Sequence, residues 1–207
     1  SYYRGAVAPE ARERILEAAC DLIAAGGIDD VRIARVATRA RVSTALVHHY
    51  FSTREELLEE ALRHSFETAG SDRFASATDP DASAAERLAS AIDACMPLPG
   101  AQERDWVLWV ELWLRAARDA ELRPLAADLY ARYRDWFADI IEAGLQSGEF
   151  TSDRSAAEIA DLAVALVDGL GIRAVIQDPE TSVDRARSQV AKRLAAELGL
   201  DAKALGA

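Results

Sequence analysis

The chain has 207 residues, half of them hydrophobic but only 7% aromatic, and a net charge of −11. No apolar run approaches the ~18 residues that a membrane-spanning helix needs, so we expect no membrane partner. The two cysteines lie in helix-like apolar stretches, which favours a reduced cytoplasmic protein over a disulfide-stabilised secreted one.

The negative charge is unevenly distributed along the chain. Residues 1–54 contain eight arginines against six acidic residues, so this segment is slightly basic. All the excess acidity therefore lies after residue 54. An acidic protein of this kind is not expected to coat nucleic acid non-specifically, but a local basic face near its amino terminus is compatible with DNA binding.

Helix-favouring residues dominate the chain, and the alternating pattern typical of strands is absent. The sequence therefore predicts an all-α protein of about nine helices. Their expected ranges are 9–25, 33–40, 43–52, 53–69, 83–95, 102–118, 120–147, 154–177 and 180–199. A turn-rich segment at 70–81 predicts a link between two parts of the chain.

Residues 42–54 form the most informative segment. The pattern predicts a helix of about two turns that begins at Ser43, followed at once by a second helix capped by Thr53. Such a short helix is unstable alone, so its neighbours must hold it in place. Together with the helix at 33–40, it indicates a helix-turn-helix motif.

Residues 9–67 resemble the DNA-binding domain of the TetR family of bacterial repressors. The resemblance includes the amphipathic first helix, Ile33-Ala-Arg-Val-Ala, Val42-Ser, Tyr50-Phe and Arg54-Glu-Glu-Leu-Leu. It implies a helix-turn-helix DNA-binding domain at 1–52, a linking helix at 53–69, and a helical ligand-binding and dimerisation domain at 70–207. One position departs from the family: Arg41 stands where most relatives have glycine. If this residue has a positive φ, arginine costs about 1 kcal/mol relative to glycine.

The predicted DNA contacts combine local chemistry with this resemblance. The resemblance places Arg32 near phosphate and puts His48 where relatives have a phosphate-binding tyrosine. Thr44, Ala45 and His49 are suited to reading base edges in a major groove. The alternative is that these residues only cap and solvate helices. The full set is Arg32, Ser43, Thr44, Ala45, His48, His49, Thr53 and Arg54.

The carboxy-terminal part is similar to the BetI-like branch of the same family. The strings that carry this likeness are Trp109-x-x-x-Trp113, Arg118-Asp119-x-Glu121-Leu122-Arg123, Gly148-Glu149-Phe150 and Asp168-Gly169-Leu170. The branch includes regulators that respond to choline and polyamines. The resemblance therefore implies an effector pocket in helices 5 to 7.

Aromatic side chains are dense in the sixth and seventh helices and form one stripe on each. Tyr130 is the first residue of the stripe on the seventh helix. Two interpretations stay open: ordinary core, or a cage for a cationic small-molecule effector with a carboxylate as its partner. The candidate ligand-binding residues are Trp106, Trp109, Glu111, Trp113, Tyr133, Trp136, Phe137 and Asp139.

The last two helices carry more apolar surface than a monomer needs, and the family pairs them in a homodimer. The candidate dimer contacts are Leu162, Leu166, Leu170, Val190, Leu194 and Leu198.

These observations predict a homodimeric transcriptional regulator, most simply a repressor, that binds a near-palindromic operator in double-stranded DNA and is released by a small molecule. We expect it in the bacterial cytoplasm, associated with the nucleoid when bound to its operator.

Adjacent His48 and His49 point about 100° apart on a helix and chelate poorly, so we expect no metal site. No catalytic or cofactor signature occurs, so an enzyme is disfavoured and no cofactor is expected. A helical adaptor that does not bind DNA is the main alternative.

Overall fold

The computed structural model describes the backbone of residues 7–73, 79 and 81–207, and the side chains of 11–67, 79 and 81–207. Within these ranges the chain is all-α, as predicted, with nine α-helices and no strand. The helices are α1 (Val7–Gly26), α2 (Ile33–Ala40), α3 (Thr44–Tyr50), α4 (Arg54–Arg73), α5 (Ala84–Cys95), α6 (Ala101–Arg118), α7 (Arg123–Ser147), α8 (Ala156–Val175) and α9 (Val183–Glu197). None of the described helices is both long and apolar enough to cross a bilayer.

The chain divides into two compact units. The amino-terminal unit contains the described residues up to Thr68 together with Val107–Ala126. The carboxy-terminal unit contains the described residues of Ala69–Trp106 together with Ala127–Ala207. The last two-thirds of α6 therefore belong with the helix-turn-helix region, which the sequence-based division at residue 70 did not anticipate.

The core of the amino-terminal unit forms where the apolar faces of its helices meet. Ile15 and Ile23 of α1, Val36 of α2, Val47 of α3 and Leu57 of α4 are all fully buried. Ala37 is 3% exposed, and its small side chain suits a position where two helices cross closely. Burial of these side chains supplies the support that the two-turn α3 lacks on its own.

Helix α5 of the carboxy-terminal unit begins at a doubly capped terminus. Ser83 and Glu86 form a reciprocal capping box. The carboxylate of Glu149 also accepts hydrogen bonds from the backbone N–H groups of Ala84 and Ala85, each at 2.8 Å. Four donors are unpaired at the start of any α-helix, and a carboxylate is favoured there by the helix dipole. The Gly148-Glu149-Phe150 string therefore has a structural role.

Trp106 is a core residue of the carboxy-terminal unit. Its side chain is 6% exposed, and its indole N–H donates to the carbonyl of Cys95 at 2.9 Å. The indole also lies directly over Gly171, because a Cβ added there would stand 2.2 Å from the ring. Both cysteines of the chain are buried thiols that form no disulfide with each other, Cys20 in the first unit and Cys95 in the second.

The helix boundaries differ from the sequence-based ranges at a few ends. Helix α4 continues through Gly70–Arg73, which was predicted to be part of a turn-rich link; residues 74–78 and 80 of that link lie outside the described residues. Helices α8 and α9 begin later than predicted, at Ala156 and Val183, because Ser155 and Ser182 act as their amino-terminal caps. A short 3₁₀ turn, Ala120–Leu122, precedes α7.

Candidate functional site

The turn between α2 and α3 is closed by a residue in the left-handed conformation. Arg41 has φ 57° and ψ 47°. Its N–H donates to the carbonyl of Thr38 at 3.2 Å, and that of Val42 donates to the carbonyl of Ala37 at 2.9 Å. This pair of bonds is the Schellman arrangement, which pairs otherwise orphaned carbonyls at a helix end. Arg41 therefore occupies the strained position considered from the sequence.

Helix α3 is held at both ends and along its inner face. The Ser43 hydroxyl accepts from the N–H of Leu46 at 3.1 Å, as predicted for a cap. Val47 is fully buried, and Phe51, which follows the helix, is 1% exposed. The guanidinium of Arg12 lies 5.5 Å from the centroid of the Phe51 ring. The helix is thereby fixed to α1 although it has only seven residues.

The start of α4 is capped by Thr53, again as predicted. Its hydroxyl accepts from the N–H of Glu56 at 3.0 Å. The carboxylate of Glu56 accepts from the N–H of Ser52 at 2.7 Å, one residue earlier than a standard capping box. The side chains of Ser43 and Thr53 are thus both engaged in capping helices.

The outward face of α3 carries four of the predicted DNA contacts. Thr44, Ala45, His48 and His49 are all exposed, whereas Val47 is buried. The helix contains no acidic residue. His49 packs edge-on against the ring of Tyr50, with centroids 5.3 Å apart. The structure therefore places short donors and a methyl group on one rigid, exposed surface.

Two arginines of the predicted set are placed differently from each other. Arg32 is exposed and stands at the amino-terminal cap position of α2. Arg54 instead points into its own unit, where its guanidinium donates to the carbonyl of Val31 at 2.8 Å and to that of Ile28 at 2.5 Å. Arg54 therefore holds the segment that leads into α2.

The same segment is held from α6. It contains a 3₁₀ turn, Ile28–Asp30. The carboxylate of Glu111 accepts from the N–H of Ile28 at 3.4 Å, and Arg115 forms a 3.2 Å ion pair with Asp29. Glu111 was a candidate ligand residue, but in this structure its carboxylate is used at the helix-turn-helix entrance.

The predicted aromatic stripe of α6 falls into two parts. Trp109 lies in the amino-terminal unit, 5.7 Å from Phe66 and 6.2 Å from Trp113 between ring centroids. Trp106 is the core residue described above and packs against Gly171. Trp106 is thus a core side chain, whereas Trp109 and Trp113 are half-buried and contact each other.

On α7, Tyr133 stacks on Trp136 at 6.2 Å and meets Phe137 edge-on at 5.6 Å. Phe137 is fully buried, whereas Asp139 is exposed on the solvent side of the helix. Asp139 is therefore poorly placed to partner a ligand held by these rings.

A carboxylate that was absent from the predicted ligand set lies beside this cluster. Asp168 of α8 is half-buried, and its Oδ2 accepts from the hydroxyl of Tyr130 at 2.7 Å. Burial raises the pKa of Asp168 to about 6, against the lowering effect of that hydrogen bond. In the sequence, Asp168 is a single acidic residue within an otherwise apolar stretch of α8. The sequence analysis named it only as part of the Asp168-Gly169-Leu170 string and not as a ligand-binding residue.

Comparison with known proteins identifies the family. Residues 15–61 match the bacterial regulatory proteins of the TetR family, and residues 80–199 match the family described as BetI-type transcriptional repressor, C-terminal. The chain belongs to the TetR family. Its carboxy-terminal part belongs to the BetI type, as the resemblance of that part suggested.

Individual relatives agree with this assignment. A putative transcriptional regulator from Saccharomonospora viridis, solved in complex with choline, is 33% identical with a TM-score of 0.81, covering 92% of this chain and 98% of that one. A putative TetR-family regulator from a Rhodococcus species is 29% identical with a TM-score of 0.82, covering 92% and 99%. The regulator BetI of Brucella anthropi is 29% identical over 165 residues, covering 80% and 81%. The chain is thus a BetI-like transcriptional regulator and not an enzyme.

TetR-family regulators act as dimers, and the predicted dimer residues divide into two groups. Val190, Leu194 and Leu198 are fully buried within the single chain, where α9 packs on α8 and on the 3₁₀ turn Ala202–Leu205. This corrects the sequence-based assignment, because a residue without exposed surface has none to offer a partner. Leu162, Leu166 and Leu170 of α8 keep part of their surface exposed.

Proposed function

We propose that this BetI-like regulator is a repressor that binds a near-palindromic operator as a homodimer and is released by a small organic cation. The observation that carries the DNA-binding part is the outward face of α3. Thr44, Ala45, His48 and His49 are exposed together on a helix whose inner face is anchored by Val47. A rigid helix with short donors is what a major groove accepts.

Within this interface we assign different tasks to different residues. His48 and the exposed Arg32 contact phosphates, which fixes the register of the protein on the duplex. Thr44 and His49 hydrogen-bond to base edges, and Ala45 contacts a thymine methyl group. Ser43, Thr53 and Arg54 support this surface, since their polar atoms are hydrogen-bonded within the protein.

The proposed dimer surface is the outward face of α8. Leu162 and Leu166 are half-buried, and Ala165 and Gly169 next to them are exposed. Ile176, just past the end of the helix, is 67% exposed. An apolar stripe of this length on a regulator's surface is typical of an interface between identical subunits. Two-fold symmetry of the dimer then requires matching half-sites in the operator.

A cationic effector is supported by the choline bound to the Saccharomonospora viridis relative. It is also supported by the aromatic rings and by the half-buried carboxylate of Asp168 in the carboxy-terminal unit described above. Release from DNA follows by linkage: the effector must bind the DNA-free form better than the DNA-bound form. A tenfold weakening of operator binding requires about 1.4 kcal/mol of differential binding.

We propose that helices α4 and α6 transmit this coupling to the helix-turn-helix. The Ile28–Asp30 turn, which leads directly into α2, is held by Arg54 of α4 and by Glu111 and Arg115 of α6. A small shift of α6 would therefore change the support of the helix-turn-helix without any change in α3 itself.

The decisive experiment is fluorescence anisotropy of the protein on the DNA upstream of its own gene, titrated with salt. We expect tight binding that weakens steeply with salt and is lost in His48→Ala and Arg32→Ala. Arg193→Ala is the matched control, because Arg193 is an exposed arginine of α9 far along the chain from α3. A genome-wide selection of bound DNA fragments extends the test beyond this one site. If the protein shows no preference for any fragment over random DNA, the proposal is contradicted and the adaptor is favoured.

The dimer surface has its own test. Leu166→Glu should convert the dimer to a monomer in sedimentation analysis, because a buried charge would replace an apolar contact. Leu114→Glu is the control, since Leu114 is 45% exposed on α6 and outside the α8 stripe. Dissociation by both variants, or by neither, would place the interface elsewhere.

A further inference from the structure

Asp168 is a carboxylate in an unusual setting. It lies half-buried among apolar residues of α8, and among the described residues only the Tyr130 hydroxyl donates a hydrogen bond to it, at 2.7 Å. A buried carboxylate that is ionised normally requires a positive partner or several donors, because burial disfavours the charged form. A single neutral hydroxyl compensates for only part of that cost.

Aromatic rings lie beside this carboxylate. Tyr133 follows Tyr130 by three residues on α7, and its ring contacts those of Trp136 and Phe137. Burial raises the pKa of Tyr133 well above its usual value, and interactions with the Cys95 thiol and the charge of Asp168 raise it further. The Tyr133 hydroxyl is therefore enclosed, neutral, and within electrostatic reach of Asp168.

Three arginines of α7 and α8 are paired elsewhere. Arg132 forms an ion pair with Asp128, Arg134 with Asp161, and Arg173 with Asp178. Among the residues that the structure describes, no lysine, arginine or histidine forms an ion pair with Asp168. The negative charge of Asp168 at neutral pH thus has no described protein counter-ion.

We infer that Asp168 is the anionic anchor of a binding site for a small organic ammonium ion, with Tyr130 and Tyr133 forming part of its walls. The inference rests on the proposed function, in which such an ion is the effector. It assigns the charge-pairing role to Asp168 instead of Glu111, which binds the amide of Ile28, or Asp139, which is exposed.

An organic ammonium ion suits this site better than a metal ion. Hard cations such as Mg²⁺ and Ca²⁺ need several oxygen ligands, usually more than one carboxylate. Among the described residues, no three histidine, cysteine, aspartate or glutamate side chains are grouped to bind a metal. One carboxylate beside aromatic rings is instead the arrangement that binds ammonium groups through charge and cation–π attraction.

The test is isothermal titration calorimetry of the full-length protein with choline chloride and with 3,3-dimethylbutan-1-ol, its uncharged carbon analogue of the same shape. We expect the wild-type protein to bind choline at least tenfold more tightly than the alcohol, which corresponds to about 1.4 kcal/mol or more in favour of the charge. Putrescine and tetramethylammonium serve as additional ammonium probes.

Two variants separate an anchor from a merely structural residue. Asp168→Asn keeps an oxygen that accepts from Tyr130 but removes the charge, and it should abolish the preference for choline over the alcohol. Tyr130→Phe removes the hydrogen bond but keeps the carboxylate, and it should change choline affinity by no more than a few-fold. Equal choline binding by wild type and Asp168→Asn would overturn the inference, as would the absence of binding by all three ammonium probes.

The pH dependence provides a second signature. Choline requires the ionised carboxylate, and the pKa of Asp168 in the free protein is about 6. Choline affinity should therefore fall as the pH is lowered through 6, and this fall should be absent in Asp168→Asn. The other titratable groups of the cluster are the hydroxyls of Tyr130 and Tyr133 on α7 and the thiol of Cys95 on α5, which ordinarily titrate at about pH 8 or above.

Failure of this inference can be told apart from failure of the proposed function. Operator binding without ligand is measured on the same samples, and Asp168→Asn should bind the operator normally but resist release by choline. Normal operator binding with no ammonium binding would refute the anchor and the cationic effector, and would leave the DNA-binding function standing. Loss of operator recognition in every sample would refute the regulator, while the calorimetry would still decide the anchor.

Discussion

The two units of this regulator differ in how their functional surfaces are built. In the amino-terminal unit most of the proposed DNA contacts lie on one short helix, and the caps and turn that position it come from residues 37–56. In the carboxy-terminal unit, Cys95, Tyr130 and Asp168 come from three separate helices. A local surface is encoded by local sequence, whereas a surface assembled from distant residues depends on packing that a short motif does not record.

The largest expected effect is in the core of the amino-terminal unit. Phe51→Ala should lower the free energy of unfolding of that unit by about 3–5 kcal/mol, because it removes a buried ring and leaves a cavity. Operator binding should be lost while choline binding persists. Phe137→Ala, the matched deletion in the other unit, should do the reverse, as measured by anisotropy and calorimetry on the same preparations. Loss of both activities in both variants would mean that the units do not behave separately.

A smaller change, this time an increase in the free energy of unfolding, is expected from a substitution at Asp168. Its pKa is about 6 in the folded protein and near 3.9 when unfolded, so the folded state binds the proton more tightly. Ionisation therefore destabilises the folded protein, and this penalty is absent well below pH 4 and complete above pH 6. Asp168→Asn should raise the free energy of unfolding by about 2 kcal/mol at pH 7.5 and by little near pH 4.

Urea unfolding at both pH values, at one fixed protein concentration, measures this difference. Tyr130→Phe is the control, because it leaves the carboxylate in place. Destabilisation by Asp168→Asn at pH 7.5 would instead identify Asp168 as a structural residue and would remove the reason for expecting a cation there.

The smallest predicted effect concerns the turn of the helix-turn-helix. Arg41→Gly should raise the free energy of unfolding by about 1 kcal/mol, because glycine adopts a φ of 57° without strain. Gln177 in the carboxy-terminal unit has a φ of 56°, so Gln177→Gly is a matched comparison. Thermal unfolding of both variants measures the effect. No gain in stability at either site would show that the side chains form contacts that offset the strain.

Much of the amino-terminal unit could be predicted because its signals are local. Ser43 and Thr53 cap the helices that the sequence assigned to them, and α2 occupies its predicted residues. Arg54 shows the limit of such reasoning. It was predicted to contact DNA, but carbonyls of Ile28 and Val31, more than twenty residues earlier, accept its donors.

The carboxy-terminal unit was predictable as helices but not as a site. The aromatic spacing on α7 marked Tyr133 correctly as part of a cluster, yet spacing alone did not reveal that the nearby carboxylate comes from α8. Likewise, the apolar pattern of α9 looked like an interface, although Val190 and Leu194 are buried by their own chain. Helical periodicity indicates that a face is covered, but not what covers it.

The burial of both native thiols has a practical consequence. Cys20 and Cys95 lie inside their respective units, so a maleimide or nitroxide reagent has little access to either sulfur. A single cysteine introduced at the exposed Ala25, at the end of α1, would therefore be the main labelled site. In a homodimer that one substitution supplies two spin labels related by the two-fold axis. The distance between the two labels, measured by pulsed electron paramagnetic resonance, then reports the spacing of the two helix-turn-helix regions in solution.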